Sequence, residues 1–113
     1  MALTLWHNPR CSKSRQTLQL LRDKGLEPDI RLYLSDPPSP QELQTLLDQL
    51  NLSAHGLARK SEAVFKEQGL KHADDATLIN AMAENPILIE RPILIAANKA
   101  AFGRPPEAVL AIL

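Results

Sequence analysis

The first thirty-odd residues of the chain switch periodicity twice, and that restricts the fold more than any other feature. Leu3 to Trp6 is a short apolar run of β character. Gln16 to Lys24 carries Leu18, Leu20 and Leu21 in an amphipathic helical pattern, and Gly25 stands where a helix would end. Ile30, Leu32 and Leu34 then alternate with Arg31 and Tyr33, which predicts a second strand with the three aliphatic side chains on one face. Strand, helix and strand within about 30 residues form a βαβ unit, whose two strands run parallel.

Asp36-Pro37-Pro38-Ser39-Pro40 stops that unit. Ser39 as N-cap, Pro40 at the first helical position and Glu42 at the third make a capping-box pattern, followed by Leu43, Leu46, Leu47 and Leu50 at helical spacing. Residues 51–71 are polar with scattered apolar positions and read as short helices and loops. Asp74 or Asp75 caps a helix running to Glu84, with Leu78, Ile79 and Met82 on its apolar face, and Asn85-Pro86 ends it. Two apolar runs follow, Ile87-Leu88-Ile89 and Ile93-Leu94-Ile95. The second has the character of a central strand buried on both faces. Both are expected to join the first two strands in one mixed sheet flanked by helices. Ala97-Asn98-Lys99 turns the chain into a brief strand, Ala100 to Phe102. Pro105 opens a last helix that packs through Val109, Leu110, Ile112 and Leu113.

With 113 residues and 44% hydrophobic content, the sequence suits a single packed α/β domain over 1–113. Thirteen basic and thirteen acidic residues cancel, which argues against a broad nucleic-acid or membrane surface. The one cysteine can form no internal disulfide and supply no structural zinc site. No apolar run has the length of a signal peptide or a membrane span, so a reduced, cytoplasmic setting is expected.

That cysteine lies in His7-Asn8-Pro9-Arg10-Cys11-Ser12-Lys13-Ser14-Arg15, between the first strand and the first helix. Free backbone N–H groups and the helix dipole at such a position favour a thiolate, and the same groups bind oxyanions. Arg10, Lys13 and Arg15 add positive charge, as would His7 if protonated. The alternative, an inert buried cysteine, is harder to reconcile with so many basic neighbours. Arg91, between two apolar runs, and Arg104, between a strand and a helix, are also set in apolar sequence. Either Arg91 pairs with Glu90 or points outward, or Arg91 and Arg104 converge on an anion near Cys11, for which the planar guanidinium fork is suited. Arg91-Pro92 is a candidate cis peptide.

His7-Asn8-Pro9-Arg10-Cys11 with Ser14-Arg15, Leu57-Ala58-Arg59-Lys60, Asn85-Pro86-Ile87-Leu88-Ile89-Glu90-Arg91-Pro92 and Gly103-Arg104-Pro105-Pro106 together resemble the motifs of the glutaredoxin-coupled arsenate reductases, the ArsC type, in the same order and over essentially the whole chain. The likeness is closest to the short, YfgD-like subgroup. It implies a thioredoxin-like fold, with a mixed four-stranded sheet and a helical insertion, and a cis Pro92. It further implies Cys11 as nucleophile, His7 as a group favouring its thiolate, and Arg59, Arg91 and Arg104 as holders of the arsenate oxygens. Asn8, Ser14 and Arg15 of the cysteine loop are expected to contact the substrate. Glutathione as co-substrate and glutaredoxin as a transient partner would supply the other thiols. No tightly bound cofactor and no metal are expected.

Ser12-Lys13 stand where well-studied arsenate reductases of this type have Gly-Thr, which adds a charge to the loop. Two other functions share the fold. One is a glutathione-dependent thiol oxidoreductase acting on another substrate. The other is a regulator of the Spx type, whose redox switch uses Cys-x-x-Cys; here the second position is Ser14. The phosphatase-like arsenate reductases need Cys-x5-Arg, and Thr17 stands at the arginine position.

Overall fold

Strand β1 (Leu3–Trp6) is the first element of the computed structural model, which describes residues 3–113. Helix α1 (Ser12–Asp23) and strand β2 (Asp29–Arg31) complete the βαβ unit, and β1 and β2 pair in parallel with Leu5 opposite Ile30. Strands β3 (Ile93–Ala96) and β4 (Lys99–Phe102) extend the sheet by two antiparallel pairings, in the order β2-β1-β3-β4. Helix α1 ends as its sequence predicts. Gly25 has φ +76°, its N–H donates to Arg22 O at 2.9 Å, and Leu26 N–H donates to Leu21 O at 3.0 Å. These two bonds satisfy carbonyls that the helix end leaves open. Leu21 packs with Leu3, Leu5, Leu94, Ala96 and Val109, the last from a C-terminal 3-10 helix (Pro106–Ile112). This cluster joins helix and sheet in one compact unit, made of the chain up to Asp36 and of Arg91–Leu113.

The second unit, Pro37–Glu90, is helical and is inserted between β2 and β3. It contains α2 (Pro40–Leu50), α3 (Ala54–Leu57), α4 (Ala63–Glu67), a 3-10 turn (Leu70–His72) and α5 (Asp75–Glu84). The capping box of α2 is complete: Glu42 N–H donates to Ser39 Oγ at 3.1 Å, and Ser39 N–H donates to Glu42 Oε1 at 3.0 Å. Asp74 caps α5 through Thr77 N–H at 2.8 Å. The sheet order and the inserted helices make the fold thioredoxin-like, with a mixed four-stranded sheet flanked by helices. No helix is long and apolar enough to cross a membrane among the described residues.

Two expectations give way. Pro86–Leu88 forms a 3-10 turn, and Ile89 makes only an isolated bridge to Ala58. This apolar run is therefore no strand of the main sheet; Pro86 offers no N–H to a ladder, and the fourth strand is β4. The second correction concerns Ile30–Leu34. Strand β2 stops at Arg31, and Ser35 and Asp36 N–H both donate back to Leu32 O, at 3.0 and 2.9 Å. Tyr33 is buried and stacks on Trp6 with ring centroids 6.4 Å apart, while Ile30, Leu32 and Leu34 are exposed. The expected strand thus ends early, and the large Tyr33 ring, not the aliphatic set, turns inward.

Candidate active site

The residues around Cys11 are held by a dense set of short bonds. His7 N–H continues the β1–β2 ladder by donating to Arg31 O at 2.9 Å. The chain then turns: Cys11 N–H donates to Asn8 O at 3.0 Å, and Arg10 N–H donates to Asn8 Oδ1 at 3.0 Å. Cys11 is the N-cap residue of α1 in an extended conformation, and its carbonyl accepts from Arg15 N–H at 3.0 Å. The sulfur thus sits beside the first turn of a helix, where backbone N–H groups lack intrahelical acceptors. Cys11 is 9% exposed, so the thiol is shielded within this loop.

Ser14 lies beneath the loop with no exposed surface. Its hydroxyl accepts from Asn8 N–H at 3.0 Å and meets His7 Nδ1 at 2.6 Å. Arg15 Nη1 donates to Pro9 O at 2.8 Å from the outside. Asn8, Ser14 and Arg15, which the family likeness assigns to substrate contact, here knit the loop to the helix.

His7 is buried, and that burial pushes its imidazole below the ordinary histidine value; the charges of Arg22 and Arg15 push the same way. Both effects, burial first, favour the neutral ring, which is held by its bond to Ser14.

Arg104 reaches this loop from the end of β4. Its Nη2 lies 3.9 Å from Cys11 Sγ, and its Nε donates to Arg91 O at 2.8 Å. Gly103, just before it, donates its N–H to Pro92 O at 2.9 Å. A β-carbon at Gly103 would collide with Thr17 Oγ1 and lie 2.6 Å from Pro92 Cγ, so this position must lack a side chain for β4 to pass α1. The Arg91-Pro92 bond is cis, as the resemblance implies. So is Arg104-Pro105, which no sequence signal singles out. Nε and Nη1 of Arg91 are buried. The Arg91 backbone carbonyl and the Cys11 sulfur thus both lie against the Arg104 guanidinium.

Arg59 belongs to the helical unit. Its N–H donates to Leu88 O at 2.7 Å, and its guanidinium faces Glu62 at 2.6 Å and Glu90 at 3.9 Å. These two carboxylates balance its charge, an arrangement the sequence did not suggest for Glu62. Among the described residues no group of three or more His, Cys, Asp or Glu is placed to hold a metal ion.

The thioredoxin-like sheet thus carries the chain's one cysteine at the head of its first helix, with an arginine 3.9 Å from the sulfur. Residues 6–112 match the model of the ArsC family, and the chain belongs to that family. It is 48% identical to Escherichia coli strain K12 YfgD over 96% of this chain and 94% of that protein. It is 44% identical to the arsenate reductase of Haemophilus influenzae strain KW20, with 100% of both chains covered. The solved structure of the arsenate reductase from Vibrio cholerae matches with a TM-score of 0.97 at 46% identity, covering 100% of this chain and 98% of that one.

Proposed function

We propose that the protein reduces arsenate to arsenite through a covalent adduct on Cys11, with glutathione and glutaredoxin as the external thiols. The observation that carries this reading is the contact between Arg104 and the Cys11 sulfur at the start of α1. Full-length similarity to proteins named arsenate reductase supports the choice of oxyanion.

The steps follow from the single thiol. Cys11 Sγ bonds to arsenic, and one arsenate oxygen leaves as water after taking protons from solvent. Arg104, with Arg91 as a further oxygen holder, and the N–H groups of the first turn of α1 stabilise the negative oxygens of the adduct. A glutathione thiolate then attacks Cys11 Sγ. The sulfur–sulfur bond forms, the electron pair of the sulfur–arsenic bond stays on arsenic, and arsenic leaves in the +3 state as arsenite. A glutaredoxin thiolate takes the glutathione by exchange and frees Cys11 as thiolate. His7 and Ser14 position the loop throughout. No step needs a second cysteine in this chain, which has none.

The test is arsenate-dependent NADPH oxidation with glutathione, glutaredoxin and glutathione reductase supplied. The wild type should turn over and Cys11→Ser should not. Thiol exchange without arsenate turnover would instead make the protein a glutathione-dependent oxidoreductase for another substrate.

A further inference from the structure

The turn after β2 exposes what the sequence pattern would bury. Leu32 and Leu34 are 44% and 43% exposed, while Tyr33 between them is 1% exposed. Tyr33 takes the interior position against Trp6, so the two leucines have no part in the core. With Ser35 they line a groove of about 450 Å³. Asn8, Pro9 and Arg10, the residues immediately ahead of Cys11, line it too. Asn8 O accepts the Cys11 N–H, so the groove ends within one turn of chain from the thiol.

We infer that this groove docks the protein thiol carrier that regenerates Cys11, a partner presenting an apolar surface and an acidic group beside its reactive cysteine. The inference rests on the reading that Cys11 is resolved by external thiols. Three features select this occupant. The chain has one cysteine, so the regenerating thiol must approach from another molecule. A small thiol needs no apolar wall, whereas two exposed leucines beside a reactive loop suit a protein face that covers them. Arg10 is exposed on the groove, and among the described residues no carboxylate pairs with its guanidinium, which calls for an acidic group on the partner. In the docked complex the carrier's thiolate bonds the glutathione sulfur of the Cys11–glutathione disulfide. The old sulfur–sulfur bond breaks, Cys11 leaves as thiolate, and the carrier keeps the glutathione.

The test uses the full-length protein with Cys11 already converted to its glutathione disulfide, so it does not depend on arsenate. Release of glutathione is followed by mass spectrometry with glutaredoxin or with dithiothreitol as reductant. In Leu32→Ser/Leu34→Ser the rate constant with glutaredoxin should fall about tenfold or more, with the rate for dithiothreitol unchanged. Arg10→Glu should slow glutaredoxin alike, and added salt should slow the wild type toward it. Unchanged glutaredoxin rates in these variants would overturn the inference. So would an equal fall with both reductants, because the leucines would then only support the loop. If the discrimination appears but wild type does not reduce arsenate, docking stands and the arsenate reading fails.

Discussion

Arg104 and Cys11 are 93 residues apart in sequence, and Nη2 of the one lies 3.9 Å from Sγ of the other. The same guanidinium is also fixed by Arg91 O, 2.8 Å from Nε. One side chain therefore ties the residue before the cis proline to the thiol. Only a planar group with several donors can do both at once.

Arg104→Lys should keep the charge and lose one of the two contacts. The loss of a charge-assisted bond of about 1.5–3 kcal/mol corresponds to a fall in kcat/KM for arsenate of roughly 10- to 100-fold. Arg104→Ala should fall further. Steady-state kinetics of the two variants provide the check; a lysine variant equal to wild type would show that charge alone suffices.

Ser14→Ala removes a buried hydroxyl that serves two partners, Asn8 N–H and His7 Nδ1. Both groups then lose that bond, and the His7 ring loses it in a buried position. The expected loss of stability is about 1–3 kcal/mol, read from urea unfolding. Alkylation of Cys11 should also change in rate, since the loop that presents the sulfur loses its clamp.

Gly103→Ala should destabilise by about 1–3 kcal/mol, because the added methyl collides with Thr17 and Pro92 and neither neighbour is at the free end of a flexible chain. Adding Thr17→Ala should recover only part of that loss, because Pro92 Cγ would still lie 2.6 Å from the new carbon. A thermodynamic cycle over the four proteins measures the coupling. Full recovery in the double variant would mean that Pro92 can move aside.

His7 carries a pH dependence whose sign follows from its lowered folded-state value. The unfolded chain takes up the histidine proton first as pH falls. Stability from this residue is therefore present above about pH 6.5 and is lost as pH falls toward the lower folded value. His7→Gln should flatten that part of the stability–pH curve between pH 7.5 and 5. Thermal unfolding of wild type and variant across this range would show it; parallel curves would remove His7 as the cause.

The sequence by itself determined the features that depend on neighbours along the chain. The Ser39-Pro40-Glu42 start of α2, the Gly25 end of α1 and a cap at Asp74 or Asp75 were legible, because backbone capping and φ preference act over a few residues, and the apolar run Ile93-Leu94-Ile95 marked β3. The position of Cys11 at the head of α1 was legible for the same reason. Tertiary structure alone decided which of residues 30–34 turns inward, since burial of Tyr33 depends on Trp6, a residue of β1. It also decided that Ile87–Ile89 stays out of the main sheet and that His7 is pressed toward its neutral form. Arg104 could be singled out in sequence by its apolar surroundings, but its reach to the sulfur is a long-range contact. A charged side chain extends toward whatever the folded backbone places within its length, and no local pattern encodes that.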